Sequence, residues 1–112
     1  VVMDLDETVL NNVQYQIELN EKQESFNMDS WSEWVLREEA TLVSGALEYI
    51  RKLKENNIII IFISNRMDER LEATKNNLKN LFLTPLSKTP AVDWIVCKNF
   101  TLASALAESL AK

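Results

Sequence analysis

The sequence predicts an α/β fold built on a parallel sheet, because apolar runs of strand length alternate with segments of helical periodicity. The clearest run is residues 58–63, which is continuous and rich in isoleucine, as expected of a strand covered on both faces. Polar clusters directly follow the first two apolar runs, at residues 4–8 and 64–66. Because ligands bind beyond the carboxyl ends of parallel strands, the two clusters predict a binding site.

The predicted elements follow the order strand, insert, helix, strand, helix, strand, helix. This alternation implies right-handed crossovers that place helices on both faces of the sheet. Ser44 is the predicted N-cap of the first helix after the insert. Strands are predicted at residues 1–5, 58–63 and 92–97, and helices at about residues 45–57, 68–82 and 101–111.

Residues 11–41 form a polar insert between the first strand and the first of these helices. Their content of Asn, Gln and Glu predicts irregular or short helical structure outside the main sheet. Asp29 or Ser30 is the predicted N-cap of a helix in this insert. Trp31 and Trp34 lie three residues apart on one face of that helix, where packing is the simplest role for an aromatic side chain.

Composition restricts the classes of function. The length of 112 residues suits a single domain over residues 1–112, and the net charge of −5 argues against nucleic-acid binding through the phosphate backbone. A small phosphorylated substrate is compatible with that charge, because a local pocket can be positive. The absence of histidine excludes a serine–histidine triad and a histidine-ligated zinc site. The longest apolar run is too short for a transmembrane segment, and the oligomeric state is left open.

Two acidic residues, Asp4 and Asp6, stand one residue apart at the end of the first strand. Phosphoryl transfer through a protein needs a nucleophile, a proton donor for the leaving oxygen and positive charge near the phosphoryl oxygens. A strand-end aspartate can attack, a second carboxylate can act as general acid, and both can bind Mg²⁺. On its own, the pair is more simply an acidic turn, because short motifs often match by chance.

Ser64 follows the most apolar strand, where its hydroxyl and the backbone amides beyond it are suited to bind a phosphoryl oxygen. A helix predicted to begin immediately afterwards would favour an anion at its N-terminus. Taken alone, a helix cap formed by Ser64 or Asn65 is the simpler interpretation. The presence of polar clusters at two strand ends favours a site.

The first ten residues, VVMDLDETVL, and the run ISNR at residues 63–66 carry a more specific signal. They resemble motifs one and two of the haloacid dehalogenase superfamily. In this form they resemble the class C nonspecific acid phosphatases of subfamily IIIB, which have the plant vegetative storage proteins as relatives. Trp34, Gly45 and Ala46 fall where that family has a W…GA pattern. The resemblance covers about residues 1–82 and implies a Rossmann-like core in which the insert is a small cap.

The resemblance also implies a role for each matched residue. Asp4 would be the nucleophile that forms an aspartyl-phosphate, and its carboxylate would bind Mg²⁺. Asp6 would be the acid/base, with its backbone carbonyl on the metal. Ser64 would hold the phosphoryl group, with Asn65 and Arg66 beside it. The implied activity is the Mg²⁺-dependent hydrolysis of small phosphate monoesters.

Two further family motifs match less closely. The family has a lysine near the start of the helix after the third strand, for which Lys98 is the first candidate and Lys88 the second. It also has a fourth strand ending in a G-D-x-x-x-D motif that completes the metal site. Residues 1–112 contain no such motif, and their single glycine is Gly45. A truncated core with weakened Mg²⁺ binding is therefore expected.

The leading hypothesis is an acid-phosphatase-type enzyme, and the alternative is a catalytically inactive or truncated relative that keeps only the fold. A receiver-like phosphate acceptor is a third hypothesis. It is disfavoured because receivers run directly into a helix where this chain has its polar insert. The resemblance also suggests a secreted protein or one attached to the bacterial cell envelope.

Overall fold

The structure is a computed structural model that describes residues 1–82 and the backbone of residues 94–97. The helix predicted at residues 101–111 and the candidate lysines Lys88 and Lys98 lie outside the described residues. In chain order the elements are β1 (Val2–Met3), β2 (Leu10–Asn11), α1 (Val13–Glu21), α2 (Met28–Arg37), β3 (Thr41–Leu42), α3 (Ala46–Glu55), β4 (Ile61–Ser64), a 3₁₀ turn (Asp68–Arg70), α4 (Leu71–Phe82) and β5 (Trp94–Cys97).

Strands β1, β4 and β5 form a parallel sheet with β4 in the centre. Met3 of β1 pairs with Phe62 of β4, and Ser64 at the end of β4 pairs with Cys97 of β5. The three strands therefore present their carboxyl ends at the same edge of the sheet. The predicted α/β class with a parallel sheet is confirmed.

The apolar run at residues 58–63 is only partly strand. Its ladder pairing begins at Ile61, so the predicted strand start at residue 58 is wrong. Ile58 and Ile59 precede the ladder and are 37% and 48% exposed, whereas Ile60 is fully buried. A strand is covered on both faces where it is paired within the sheet and helices pack on each side. Ile58 and Ile59 precede this paired part of the sheet.

Helices α3 and α4 each bury one face, as their periodicity predicts. The buried residues include Ile50 and Leu53 of α3, and Leu78 and Phe82 of α4. The helix predicted at residues 68–82 is confirmed, with its first three residues forming the 3₁₀ turn. Among the described residues, none of the helices has the length and apolar character needed to cross a membrane.

The N-cap of α3 is Gly45, whereas Ser44 is the residue that the sequence predicts. Gly45 has a φ of 85°, a left-handed conformation that glycine adopts without the steric cost of a Cβ. The N-terminus of α3 receives no side-chain capping hydrogen bond from its N-cap residue. The backbone conformation of one residue, and not a hydroxyl acceptor, therefore sets the start of this helix.

The insert is closed at its base by an antiparallel pair, in which Leu10 of β2 lies opposite Leu42 of β3. Between these strands the chain forms α1 and α2, so the short-helix prediction for this region is confirmed. Helix α1 buries only Tyr15 and Leu19. Its polar character gives little apolar periodicity by which a helix can be recognised in the sequence.

The N-cap of α2 is Asn27, and the prediction of Asp29 or Ser30 is wrong. The Oδ1 atom of Asn27 accepts the N–H of Ser30 at 2.9 Å, the usual capping geometry. Helix α2 thus begins two or three residues earlier than the predicted N-cap residues imply. Asp29 lies in its first turn, where a negative charge interacts favourably with the helix dipole.

The insert is attached to the core through α4. The side chain of Asn77, which is 3% exposed, accepts the N–H of Ala40 at 3.2 Å and donates to the Ala40 carbonyl at 2.9 Å. Helix α2 also contacts both α4 and the 3₁₀ turn. These contacts fix the position of α2 relative to the carboxyl edge of the sheet.

Candidate active site

The two predicted polar clusters meet at the carboxyl edge of the sheet. Asp4 directly follows Met3, which pairs with Phe62, and Ser64 is two residues beyond Phe62 on the neighbouring strand. Adjacent strands lie about 4.8 Å apart. The structure therefore brings the cluster after β1 and the cluster after β4 together, as the sequence predicts.

Asp4 stands at the solvent side of this edge with an exposed side chain. Its Oδ1 accepts the backbone N–H of Leu5 at 2.8 Å. The bond fixes one carboxylate oxygen while the group as a whole remains accessible. Accessibility is what a nucleophile needs if a substrate is to approach it from solvent.

The turn after β1 is organised around the carbonyl of Leu5. This oxygen accepts the N–H groups of Thr8 at 3.1 Å, Val9 at 2.8 Å and Leu10 at 2.9 Å. Glu7 has a φ of 61°, which is uncommon for a residue with a side chain, and its N–H donates to the Leu10 carbonyl at 2.7 Å. The dense bonding holds the intervening residue Asp6 in one place.

The carboxylate of Asp6 is ion-paired with Arg66. The guanidinium NH2 lies 2.8 Å from Oδ1, and Nε lies 3.2 Å from both carboxylate oxygens. Arg66 is 2% exposed, and its NH1 donates to the hydroxyl of Thr74 at 3.1 Å. The prediction that Arg66 contacts a phosphoryl group stays a prediction, and in this structure its guanidinium is bonded to Asp6 and Thr74.

The side chain of Asn12, which is 2% exposed, supplies a second contact to Asp6. Its Nδ2 donates to Asp6 Oδ1 at 2.9 Å and to Glu7 Oε1 at 3.0 Å. Its Oδ1 accepts the indole N–H of Trp34 at 2.8 Å. A chain of hydrogen bonds therefore links helix α2 of the insert to the turn after β1.

Ser64 is 4% exposed, and its Oγ accepts the N–H of Arg66 at 3.0 Å. This bond forms a serine turn directly after β4. The alternative interpretation of Ser64 or Asn65 as a helix cap is wrong, because the helical segment begins at Asp68 with Met67 before it. Asn65 is exposed at the same edge. The roles of Ser64 and Asn65 in phosphate binding remain predictions.

The insert lies beside this edge of the sheet. The guanidinium carbon of Arg66 is 5.5 Å from the centre of the Trp31 ring, within cation–π distance. Trp31 also packs edge-on against Tyr15, with ring centres 5.2 Å apart. The packing role predicted for the two tryptophans agrees with these contacts, although each also reaches a polar residue of the site.

A divalent metal requires several oxygen ligands, and Mg²⁺ usually combines carboxylates with water. Within residues 1–82 and 94–97, no group of three or more acidic, cysteine or histidine side chains is placed to hold a metal ion. Asp4 offers an accessible carboxylate, whereas that of Asp6 is bonded to Arg66 and Asn12. The described residues therefore fit only part of a magnesium site.

The sequence does not single out the residues that support Asp6. Asn12 lies six positions away in a polar stretch, and Thr74 lies within a predicted helix. The one signal in the sequence is the presence of polar residues among apolar ones. Such a residue, if buried, needs hydrogen-bond partners. Periodicity shows which face is buried, but it does not show which partner a polar group finds.

A parallel sheet with acidic residues after its first strand and a Ser-Asn-Arg run after the next defines a haloacid-dehalogenase-type core. The chain belongs to the HAD superfamily, subfamily IIIB (acid phosphatase), whose family model matches residues 1–89. This confirms the family resemblance in the sequence.

Three relatives illustrate the match. The chain is 25% identical to a class C acid phosphatase from Bacillus anthracis solved with tungstate bound, with a TM-score of 0.80 over 99% of this chain and 46% of that one. It is 31% identical to the Stem 31 kDa glycoprotein of Glycine max over 70% of this chain and 31% of that protein. A HAD-superfamily hydrolase from Ehrlichia chaffeensis shares the fold, with a TM-score of 0.57, 20% identity and coverage of 96% and 69%.

The chain therefore spans less than half of the Bacillus enzyme and about a third of the soybean glycoprotein. Phosphatases of the superfamily generally use a divalent metal ion.

Proposed function

We propose that the chain provides the strand-end site of an acid-phosphatase-type enzyme that hydrolyses small phosphate monoesters. The observation that carries the proposal is the arrangement at the ends of β1 and β4. An accessible carboxylate, Asp4, stands two residues before Asp6, which is held by buried donors from Arg66 and Asn12. The bound tungstate of the Bacillus anthracis relative, a tetrahedral oxyanion like phosphate, supports a phosphoryl-binding site in this family.

Asp4 is the proposed nucleophile. A carboxylate oxygen of Asp4 attacks phosphorus, the bond between phosphorus and the ester oxygen breaks, and an aspartyl-phosphate forms. Protonated Asp6 gives its proton to the departing alcohol. Asp6 then accepts a proton from the water that attacks the aspartyl-phosphate, which releases phosphate and restores both carboxyl groups.

Ser64 and Asn65 are the proposed ligands of the phosphoryl oxygens. Ser64 lies at the end of the central strand, and its hydroxyl keeps a proton to donate while its oxygen accepts from the Arg66 amide. Asn65 is exposed and can offer its amide from the same edge. Lys98, outside the described residues, is the proposed cation that screens the phosphoryl charge.

Mg²⁺ is the proposed metal, with the Asp4 carboxylate and the Asp6 backbone carbonyl as its ligands from this part of the chain. When bound, such an ion supplies positive charge beside the phosphoryl oxygens. The remaining ligands would be waters or residues beyond those described. The insert is the proposed cap, because its α2 helix places Trp31 next to Arg66 at the sheet edge.

The second candidate function is a fold-only relative without turnover. The observation that favours it is the incomplete set of metal ligands among the described residues. Both candidates predict the same fold and the same contacts around Asp6. They differ in whether the arrangement binds metal and substrate well enough for chemistry.

The experiment that separates them is hydrolysis of p-nitrophenyl phosphate at acidic pH, with added Mg²⁺ and with a chelator. The proposal predicts metal-dependent turnover by the chain and none by Asp4→Asn. Asp29→Asn is a matched control, because Asp29 is exposed in the first turn of α2 and the substitution is the same. Folded protein without turnover under any condition would favour the fold-only relative.

A further inference from the structure

The side-chain amide of Asn12 lies between the proposed acid/base and the insert. It is 2% exposed, with its nitrogen 2.9 Å from Asp6 Oδ1 and its oxygen 2.8 Å from the indole nitrogen of Trp34. Trp34 is also 2% exposed, so the hydrogen bond between its indole N–H and the Asn12 oxygen lies out of bulk water. A buried polar group that loses its partner is costly, and each of these contacts therefore constrains the others.

The partners of Asn12 permit only one orientation of its amide. An indole N–H can only donate, and an ionised carboxylate can only accept. The Asn12 oxygen must therefore face Trp34, and the nitrogen must face Asp6 and Glu7. A flipped amide would bring its oxygen against two carboxylates and its NH₂ group against another donor. Trp34 thus determines that Asn12 presents a donor to Asp6.

The two oxygens of Asp6 are bonded unequally as a result. Oδ1 accepts from Asn12 Nδ2 at 2.9 Å and from Arg66 NH2 at 2.8 Å, with Nε at 3.2 Å. Oδ2 accepts only from Nε of Arg66, at 3.2 Å, among the hydrogen bonds of the described residues. Asn12 therefore adds a second short hydrogen bond to Oδ1, the oxygen that Arg66 also holds, and fixes the carboxylate at that oxygen.

We infer that Asn12 is a positioning residue for Asp6 and that Trp34 sets the orientation of the Asn12 amide. This inference rests on the proposed function. Helix α2, which bears Trp34, contacts α4, and the segment that follows it is hydrogen-bonded to α4 through Ala40 and Asn77. The insert therefore acts on the acid/base as well as on access to the site.

The test compares two phosphate esters that differ in how much they need a general acid. An alkyl ester such as glycerol phosphate has a poor leaving group that must be protonated, whereas p-nitrophenolate departs without that help. Asn12→Ala is expected to lower kcat/KM for glycerol phosphate at least about tenfold more than for p-nitrophenyl phosphate, since general acids contribute about 10²–10⁴-fold. Trp34→Phe keeps an aromatic ring while it removes the N–H donor, and it is expected to show the same selective loss.

Asn80→Ala is the matched control, because Asn80 is exposed on α4 and the change removes the same amide. It is expected to leave kcat/KM unchanged for both esters. If Asn12→Ala fails to fold, the Trp34→Phe result decides alone. An equal loss for both esters, or no loss, overturns the inference and leaves the phosphatase assignment in place. Wild-type protein that hydrolyses neither ester overturns the proposed function, and the inference with it.

Discussion

The guanidinium of Arg66 is ion-paired with the carboxylate of Asp6 at 2.8 Å, although 60 residues separate them along the chain. The pair joins the turn after β1 to the segment after β4. The Arg66 side chain is 1% exposed and that of Asp6 is 25% exposed. The cation is therefore almost fully desolvated, while the carboxylate remains partly accessible to solvent.

Arg66→Gln is expected to lower the free energy of unfolding by about 3 kcal/mol. Breaking a buried ion pair typically costs about 3–5 kcal/mol, and the partial exposure of Asp6 places this case at the lower end. Urea unfolding measures the change. Arg51→Gln, an exposed arginine on α3, is the control and should alter stability by no more than about 0.5 kcal/mol. An equal loss of unfolding free energy in the two variants would show that the ion pair between Arg66 and Asp6 does not stabilise the fold.

Asn77→Ala is expected to destabilise the protein by about 2 kcal/mol, because it leaves the buried N–H and carbonyl of Ala40 without their side-chain partner. Asn80→Ala on the exposed face of the same helix should have little effect. Chemical unfolding of both variants checks the difference. An Asn77→Ala protein as stable as the control would mean that the insert is held by other contacts.

The contact between α1 and α2 should depend on pH through Glu18. The hydrogen bond from Arg37, at 2.7 Å, holds the pKa of the Glu18 carboxyl below its ordinary value of about 4.3. Because the pKa of Glu18 is lower in the folded state, its ion pair with Arg37 stabilises the fold fully at a pH above the ordinary pKa. This stabilisation is lost as the pH falls through the folded-state pKa.

Glu18→Gln should therefore destabilise the chain near neutral pH, and the difference from wild type should shrink in strong acid. Thermal unfolding at several pH values follows this difference. Glu21→Gln, an exposed change on the same helix, should show a smaller effect of pH. A Glu18→Gln difference that does not vary with pH would contradict the assigned cause.

Gly45→Ala is expected to lower the free energy of unfolding by about 1 kcal/mol, because a Cβ disfavours the left-handed conformation by about 1–2 kcal/mol. A Cβ built at this position has no heavy atom within 4 Å beyond its immediate neighbours. The cost should therefore come from the backbone and not from a clash. Gly45→Asn should lose less than Gly45→Ala, and equal stability of all three proteins would contradict this reasoning.

The sheet edge could be predicted because its signals are local. The apolar run before Ser64 and the acids after β1 identify two strand ends, and parallel strands must end at the same edge. The exact strand start could not be predicted, because an isoleucine-rich run looks the same whether or not a neighbour pairs with it. Ile58 and Ile59 belong to the run and yet lie outside the ladder.

The partners of Asp6 could not be predicted for a different reason. Asn12 and Trp34 are 22 residues apart, and their hydrogen bond depends on how α1 and α2 pack within the insert. The turn that directs Asp6 also depends on the positive φ of Glu7, and glutamate gives no sequence signal for that conformation. Motif matching identifies Asp6 itself, whereas its support comes from tertiary packing.

The most direct test of the proposed function is to trap the covalent intermediate. Asp6→Asn should slow the attack of water more than the attack of Asp4 on an ester with a good leaving group, so that a phosphoryl-enzyme accumulates with p-nitrophenyl phosphate. Acid quenching and mass spectrometry of peptides then locate the phosphoryl group. We expect it on Asp4 and expect none in the Asp4→Asn, Asp6→Asn double variant. Turnover by the wild-type chain with the phosphoryl group on another residue would contradict the assignment of Asp4 as the nucleophile.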